Sequence, residues 1–483
     1  MPTVVPGLGQ IPDLPPVLPP IDKRSLPLAP GAILPPLDYA VGFQCVGPAC
    51  EDSCCKAWDL RMDQATYERY QLIPAESLLG QVVQQSVVVL PEPREQQSYA
   101  RILLNEALEC PFLTEEKWCG IQQTLGEEAL SPICRTYPRI ARKLPSGRIE
   151  TTLHLSCPEA ARLMLLTGST ERIGVSGGKT AASNLSAAPS LLTGYDALVK
   201  QSLRAMAASD AAHFDGTRFA EMILVLTRSF LRLLLRDRRY SLGERLWLMS
   251  VFACRMQALL PIRDSGAAKQ FPALLAEFCR LAQAGTILPA LAQVAGEATM
   301  QLALTLGLVN QRLGRAMNSL RFLDDFKAFL DGIGYRPGMT PESLAPSWLR
   351  AESEAFAPWV EAHPWLLENY LEHALDRSGF PFGKDWDQPN PEEDCHALLT
   401  HFVVLRTLLI GVAATRGSDF SAEHAVRLVQ NYSRMVDHHA EFLAAAARML
   451  AEVHWTDSGS LAGLLLECSG RTGNSHPEDR AMA

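Results

Sequence analysis

The first third of this chain takes its fold from one stretch, Cys45-Val46-Gly47-Pro48-Ala49-Cys50-Glu51-Asp52-Ser53-Cys54-Cys55, which holds four cysteines. Four more follow at wider intervals: Cys110, Cys119, Cys134 and Cys157. The other four of the twelve are scattered through the remainder: Cys254, Cys279, Cys395 and Cys468. Thiolates are soft ligands that favour iron–sulfur clusters, zinc and copper(I), so the first eight cysteines predict a metal centre.

Composition indicates the class of protein and its compartment. A formal charge of −9 argues against a nucleic-acid partner, because such binding relies on Lys and Arg at phosphates. No secretory signal is visible. The apolar run Phe402–Ala414, interrupted by Arg406, falls short of the roughly 20 residues that a membrane span needs. We therefore expect a cytoplasmic protein without a membrane partner, in reducing conditions that disfavour structural disulfides.

The eight clustered cysteines leave several interpretations open. They exceed the four that one cluster or one zinc requires, so some are supporting or there is a second site. We expect the side chains of Cys54 and Cys55 to diverge, and not both to bind one iron. A structural zinc usually shows two pairs with two-residue spacing, which this chain lacks, so iron–sulfur is favoured over zinc. The competing interpretation, buried or disulfide-paired cysteines, leaves so dense a group of thiols unexplained. Cys254 and Cys279 lie in apolar helical stretches and are expected in the core.

The chain divides into five predicted segments. These are a proline-rich disordered tail (1–38), a cysteine-cluster metal-binding domain (39–166), a Gly/Ser/Ala linker (167–195), a helical domain (196–468) and a flexible C-terminal tail (469–483). The predicted fold is mostly α, with a small cysteine-rich α+β metal-binding domain followed by a larger all-α domain. No strand followed by a glycine-rich turn and an acidic residue is present, so the usual doubly wound nucleotide-binding sheet is not expected.

The helical domain is predicted from apolar residues at helical spacing. Such helices are expected at Phe219–Leu235, Leu242–Leu260, Phe271–Ala284, Leu320–Leu330 and Leu398–Ala414. Ser241 with Glu244, and Thr340 before Pro341, mark two helix starts. The basic stretch Arg236–Arg239 is interpreted as a solvated helix end. Four aromatic residues are expected to pack helices together, with a substrate groove as the alternative: Trp348, Phe356, Trp359 and Trp365.

Several strings resemble a known family. Phe43-Gln44-Cys45, Cys110-Pro111-Phe112-Leu113 and Cys134-Arg135-Thr136-Tyr137-Pro138-Arg139 are similar to a bacterial cysteine-cluster domain described as zinc- or iron-chelating. The stretch from Gln122 to Ser131 and the string Ser156-Cys157-Pro158-Glu159 resemble the flagellin lysine-N-methylase family more specifically. Fainter likenesses follow at Glu368-Asn369-Tyr370-Leu371, Phe380-Pro381-Phe382-Gly383 and Tyr432–His438.

The resemblance implies an S-adenosylmethionine-dependent protein-lysine N-methyltransferase acting on flagellin, with a [4Fe-4S] cluster required for transfer. It also implies that the cluster's ligands come from Cys45, Cys50, Cys54, Cys55, Cys110, Cys119, Cys134 and Cys157. The radical-type spacing fails at Ala57, so direct displacement at the sulfonium methyl remains open beside radical chemistry. A metal-carrier or docking protein and a cluster-based redox enzyme are the alternative functions.

Other polar residues are candidates for the remaining roles. Arg135, Tyr137 and Glu159 are the predicted catalytic residues, and Arg139, Arg434 and His438 are predicted to bind the cofactor. Charge balance against thiolates competes for Arg135 and Arg139. Arg434 and His438 lie four residues apart on one helical face, where a simple surface pair is the favoured alternative. Two further candidates, Glu127 and Glu128, are more consistent with a solvated turn. The His438-His439 pair, and His396 with His401, lack zincin spacing and are interpreted as structural.

Overall fold

The computed structural model describes residues 42–57, 59–91, 98–166, 216–260, 265–285, 291, 294–313, 319–383, 385–437, 440–452 and 458–468. The predicted proline-rich tail, linker and C-terminal tail lie outside the described residues. His438 also lies outside them, so its predicted role stays a prediction.

The cysteine-rich region is built from short elements. Its strands are β1 (Leu60–Met62), β2 (Val87–Val89), β3 (Ala100–Ile102), β4 (Arg139–Lys143) and β5 (Ile149–Leu153). Its helices are α1 (Gln64–Gln71), α2 (Leu78–Ser86), α3 (Gly120–Leu125), α4 (Pro132–Thr136) and α5 (Pro158–Leu165). Strand β3 lies between β1 and β2, with Ile102 opposite both Leu60 and Val87, and β4 pairs with β5. Every described strand pair is antiparallel, as expected for a chain without a doubly wound sheet.

The end of the cysteine-rich region packs on the helices that follow. Leu144, Leu155, Met164 and Leu165 are buried in the same core as the helical region. Because helix α5 begins directly after Cys157, this packing fixes that cysteine against the helical region. The strand-containing region and the helical region therefore share one buried interface.

The helical region contains twelve described α-helices, which the sequence predicts only in part. They are α6 (Gly216–Arg236), α7 (Leu242–Gln257), α8 (Ser265–Ala284), α9 (Ala298–Leu313), α10 (Leu320–Gly332), α11 (Pro341–Ala351), α12 (Ala357–Ala362), α13 (Pro364–Ser378), α14 (Pro391–Arg416), α15 (Ala422–Val436), α16 (Ala440–Glu452) and α17 (Ser458–Leu465). A π-helical turn, Glu352–Phe356, joins α11 to α12. Both predicted helix starts are confirmed: Ser241 and Glu244 form a capping box, and Thr340 caps the helix that Pro341 begins.

Helix α14 runs through the middle of the helical region and is longer than predicted. It begins at Pro391 because Asn390 caps it and acidic residues fill its first turn. By length and composition alone it could cross a membrane, but most of its apolar stretch is buried inside the protein. Gly411 on α14 lies so close to α10 that a Cβ there would meet the backbone and ring of Phe329. This close approach explains a glycine inside a helix, where it would otherwise be unfavourable.

The predicted solvated helix end at Arg236–Arg239 is wrong for Arg236, whereas Arg238 and Arg239 are exposed as predicted. Helix α6 carries Arg228, Arg232 and Arg236 at four-residue spacing on one buried face. The side chain of Arg236 is 5% exposed, and it pairs with Glu368 and Glu372 of α13. Charged residues are almost never fully buried unless paired, and periodicity along one helix does not reveal a partner more than a hundred residues away.

The aromatic and cysteine expectations for the core are largely confirmed. Trp348 and Phe356 are buried in the main core, and Trp359 and Trp365 pack against it. Cys279 is fully buried, as predicted, whereas Cys254 is half-buried. None of the twelve cysteines forms a disulfide in the described structure.

Candidate metal centre

Four of the eight cysteines lie together inside the small core of the cysteine-rich region. This inner cysteine group consists of Cys55, Cys110, Cys119 and Cys134, which pack with Tyr70, Phe112 and Ile121 among other apolar residues. The backbone N–H of Cys110 donates to the carbonyl of Cys55 over 2.7 Å, and a β-bridge pairs Cys119 with Leu113. Backbone pairing thus brings together the segments of Cys55, Cys110 and Cys119, and Cys134 joins them by packing in the same core.

Three of the remaining cysteines form a second group on the side that faces the helical region. Cys45 and Cys50 flank the short 3-10 turn Gly47–Ala49, and Cys157 is the N-cap of α5. We call these three, together with Cys54 at the boundary between the groups, the outer cysteine group. Burial, followed by the neighbouring charges of Cys50 and Cys45, raises the pKa of Cys157 to about 11, so these thiols lie within electrostatic reach of one another.

Contacts from two helices hold the outer group in place. Arg162 of α5 pairs with Glu51, the residue after Cys50, over 2.6 Å. Gln430 of α15 donates through Nε2 both to Oδ2 of Asp52 (2.7 Å) and to the carbonyl of Ser156 (3.0 Å). One amide therefore ties the loop between Cys50 and Cys54 to the residue that precedes Cys157.

Adjacent Cys54 and Cys55 do not diverge as predicted. Their side chains are hydrogen-bonded, which lowers the pKa of Cys55 and, with burial, raises that of Cys54. The two sulfurs therefore lie close together. The sequence could not show this because the directions of adjacent side chains in the irregular loop 53–56 depend on its local backbone.

Backbone amides point at several of the sulfurs. Gly47 N–H contacts Sγ of Cys45 at 3.4 Å. The backbone of Gln122 and Ile121 donates to Cys119, and that of Ala160 and Glu159 donates to Cys157. These hydrogen bonds lower the thiol pKa, but burial is the larger effect and leaves the pKa of Cys119 and Cys157 raised.

This combination tests whether the residues fit a metal group. Buried sulfurs with aimed N–H donors are the surroundings in which iron–sulfur clusters are held, and the positive metal supplies the charge that burial otherwise penalises. Among the described residues, no three His, Cys, Asp or Glu side chains are placed to hold one single metal ion. A four-iron cluster does not require such close approach, because each of its thiolates binds a different iron atom.

Arg434 reaches the cysteine loop from the helical region. Its guanidinium donates to the carbonyls of Ser53 (3.0 Å) and Lys56 (2.6 Å) and pairs with Asp52 (3.2 Å). Its side chain is 12% exposed, so the favoured interpretation as a surface pair is wrong. The residues it binds are contiguous with Cys54 and Cys55, hence Arg434 holds the loop on which both thiols stand.

The structure also brings Tyr137 to the outer cysteine group. The Tyr137 hydroxyl hydrogen-bonds with Oγ of Ser156 (3.1 Å), and its ring stacks on His154. Burial and the charge of nearby Cys157 raise the pKa of Tyr137, which keeps its hydroxyl protonated. Arg139 lies beside it, with its guanidinium over the ring of Phe43 and a hydrogen bond to the Phe43 carbonyl.

The other predicted residues are placed differently. Arg135 pairs with Glu128, whose side chain is 90% exposed, in agreement with the solvated-turn interpretation of that glutamate. Glu127 belongs to the same exposed turn. Glu159 pairs with Arg162 within α5 and so supports the residue that holds Glu51. The catalytic role predicted for Arg135 and Glu159 stays a prediction.

Sequence reasoning missed Gln430, Arg162 and Arg321. Arg321 of α10 contacts the Glu51 carbonyl at 3.4 Å and Asn431 at 3.3 Å. For Gln430 a signal existed, since it lies one helical turn before Arg434 and shares its face. For Arg162 and Arg321 the sequence contains no such signal. An arginine on the polar face of an amphipathic helix does not indicate a distant partner.

A buried polar cluster lies behind the outer group. Asp437 pairs with Arg377 over 2.8 Å and accepts from Ser433, and Nδ1 of His401 contacts the Tyr432 hydroxyl at 2.8 Å. Burial lowers the pKa of His401 to about 4. His401 is therefore a neutral core residue, as its structural interpretation expects.

By its fold and site, the molecule is a mostly helical protein with a cysteine-rich region whose outer cysteine group faces the helical region. Residues 228–464 match a family model described as the FliB lysine N-methylase C-terminal domain. A stretch of 128 residues, 26% of this chain, is 33% identical to the flagellar biosynthetic protein FliU of Salmonella muenchen and covers 73% of it. The chain belongs to the FliB-like lysine N-methylase family.

Two further relatives carry an enzymatic name. The lysine-N-methylases of Salmonella typhimurium and Salmonella choleraesuis are each 33% identical over 128 residues, which is 31% of their length. The chain thus aligns with less than a third of the length of those methylases. No solved structure matches the chain.

Proposed function

We propose that this chain is an S-adenosylmethionine-dependent protein-lysine N-methyltransferase that acts on flagellin and needs a cysteine-bound [4Fe-4S] cluster. Family membership and the names of the relatives support the methylase part. The name of the flagellar relative supports a flagellar substrate. The observation that carries the proposal is the joint between the regions: Arg434 and Gln430 of the helical region grip the loop on which the cysteines stand.

The cysteines would hold the cluster, which when bound would add local charge beside the amino and carboxylate groups of the methyl donor. Arg434 and Arg139 are the guanidinium groups near the outer cysteine group, and a planar guanidinium matches a carboxylate in a bidentate manner. The guanidinium of Arg434 already donates hydrogen bonds to backbone carbonyls, so its main contribution is to fix the loop that carries Cys54 and Cys55. Arg139, more exposed, is the better placed to meet a ligand.

A substrate lysine must lose its proton before its nitrogen can accept a methyl group. Its ordinary pKa is near 10.4, so the site has to lower it by removing water or by placing positive charge nearby. Three guanidinium groups in the neighbourhood of the outer group, those of Arg139, Arg162 and Arg434, provide such charge. The neutral Tyr137 hydroxyl can accept a hydrogen bond from the amine and orient it.

The proposal is tested by anaerobic incubation of the full chain, reconstituted with iron and sulfide, with flagellin and methyl-labelled S-adenosylmethionine. Label on lysines, released by acid hydrolysis as methyl-lysine, is the expected result. Tyr137→Phe, which keeps the ring but removes the hydroxyl, should lower the rate, whereas Tyr67→Phe on the distant helix α1 should not. Release of S-adenosylhomocysteine indicates direct transfer, and 5′-deoxyadenosine indicates radical transfer.

A metal-loaded protein that never labels lysine would overturn the proposal and favour the carrier or docking alternative. A cluster that cycles with a reductant without cofactor binding would favour the redox alternative. Metal content is measured on the same sample, so that loss of the cluster is not mistaken for lack of activity.

A further inference from the structure

We infer that the eight cysteines hold two separate four-thiolate metal centres, an inner one at Cys55, Cys110, Cys119 and Cys134 and an outer one at Cys45, Cys50, Cys54 and Cys157. The inference rests on the metal-binding part of the proposed function and is independent of methyl transfer. It names a second centre and assigns ligands to both.

Packing separates the two groups. All four inner cysteines belong to one small core, whose other members come from residues 60–130. Cys157 belongs to a different core, with Phe43, Leu153 and Ala160 as its buried members and Tyr137 packed against it. The division follows the fold, since the first core is built on the three-stranded sheet and the second on the β4–β5 hairpin and α5.

Electrostatic neighbourhoods divide in the same way. Each of the six pairs among the inner thiols interacts, with Cys55, Cys119 and Cys134 all near Cys110. In the outer group, Cys45, Cys50 and Cys157 interact in all three pairs. Cys54 has neighbours on both sides, Cys45 in the outer group and Cys134 in the inner group.

The vicinal pair Cys54-Cys55 is the point where the two groups meet. One cluster needs four thiolates, so two centres account for all eight clustered cysteines, and a single centre leaves four of them without a role. Assigning Cys54 to the outer centre and Cys55 to the inner one gives each its fourth ligand. The Arg434 contacts to the Ser53 and Lys56 carbonyls then brace the short segment that both centres share.

The two centres have different surroundings and hence different roles. The inner thiols lie in an apolar core, where a bound metal orders the small sheet. Around the outer thiols, Cys45 and Cys54 are exposed, and Gln430, Arg434 and Tyr137 approach. The outer centre is therefore the one that a methyl donor can reach, and the inner centre is structural.

The test is a metal and sulfide count on the full chain reconstituted anaerobically with ferrous iron and sulfide, and, in parallel, as purified. We expect two centres per chain, with about eight irons and about eight sulfides. Cys45→Ser/Cys50→Ser should retain about half of the metal, with the remaining spectrum that of one centre. Cys110→Ser/Cys119→Ser should lose the complementary half, and Cys254→Ser, outside both groups, should lose none.

One centre per chain in the wild type overturns the inference. So does the loss of all metal from the Cys45/Cys50 variant while circular dichroism shows it folded. Should the Cys110/Cys119 variant fail to fold, the Cys45/Cys50 variant still decides, because its retained half-content is what two centres require. Two centres without lysine labelling would support this inference and contradict the proposed methylation. Lysine labelling by a protein with one centre would support the methylation and contradict this inference.

Discussion

The two regions of this molecule are stabilised by different means. The helical region buries large side chains such as Phe230, Phe252 and Trp348 in a continuous core. The sheet of the cysteine-rich region has a core of only eleven buried residues, one of them a cysteine. Small cores rarely supply enough stability alone and are commonly completed by metals. Apolar burial can therefore order the helical region, whereas we expect the cysteine-rich region to need a metal bound by its thiols.

Buried charge separates the regions in the same sense. The helical region neutralises its buried arginines with its own carboxylates, as when Glu368 accepts from Arg236, Arg238 and Arg245. In the cysteine-rich region burial instead raises the pKa of Cys110, Cys119 and Cys134, and under the proposed function a bound metal would supply the positive charge that favours their thiolates.

The largest expected effect of a single substitution comes from breaking the buried charge network around Glu368. Glu368 is completely buried, so Glu368→Ala removes the carboxylate partner of Arg238 and Arg245 and one of the two carboxylates that pair with Arg236. Removing one partner of a buried ion pair costs about 3–5 kcal/mol, and the loss should appear in the free energy of unfolding measured with denaturant. Glu361→Ala, at an exposed position, serves as the control. A change below about 1 kcal/mol for Glu368→Ala would show that packing, not the network, orders this region.

The next effect tests the joint between the two regions. Arg434→Ala removes the donors to the Ser53 and Lys56 carbonyls, and outer-sphere partners of metal sites commonly contribute about 10–100-fold in metal affinity or activity. Metal retention after a desalting column measures this loss. Arg427→Ala on the same helix pairs instead with Asp325 and should retain the metal. Equal retention in both variants contradicts a bracing role for Arg434.

A smaller effect concerns pH. Burial lowers the pKa of His373 to about 4, from an ordinary 6.5, while its Nε2 hydrogen-bonds the Leu153 carbonyl at 2.7 Å. The unfolded state then binds a proton more readily, so stability falls as the pH is lowered from about 6.5 towards about 4. Denaturant unfolding followed by tryptophan fluorescence should show a shallower pH dependence in His373→Gln than in His363→Gln, which leaves His373 in place. Identical slopes would contradict the assignment.

The smallest effect is expected at the surface of the cysteine-rich region. Arg135 and Glu128 form an exposed pair, and such pairs contribute about 0–1 kcal/mol. Arg135→Ala should thus leave unfolding nearly unchanged. A large loss of methylation with unchanged stability would instead restore the catalytic role predicted for Arg135 from the sequence.

Local patterns made much of the fold predictable, and distant pairing limited the rest. Apolar periodicity and capping residues located α7 and α10 within a few residues because both signals are local. The buried face of α6 was missed because its arginines find partners on α13, far along the chain.

The candidate site divides in the same way. The eight thiols stand out by density, but their separation into two groups depends on which segments pair in the sheet and which follow the hairpin. Arg162 and Arg321 became visible as site residues only once α5 and α10 were placed against the cysteine loop, whereas Gln430 shares a helical face with the predicted Arg434.

Metal-bound thiolates are expected to order the sheet of the cysteine-rich region. Hydrogen–deuterium exchange of the full chain, before and after anaerobic chelation, tests this most directly. We predict that amides of residues 60–136 lose their protection while those of α13 and α14 keep theirs. Protection of residues 60–136 that is unchanged after complete removal of the metal would contradict it.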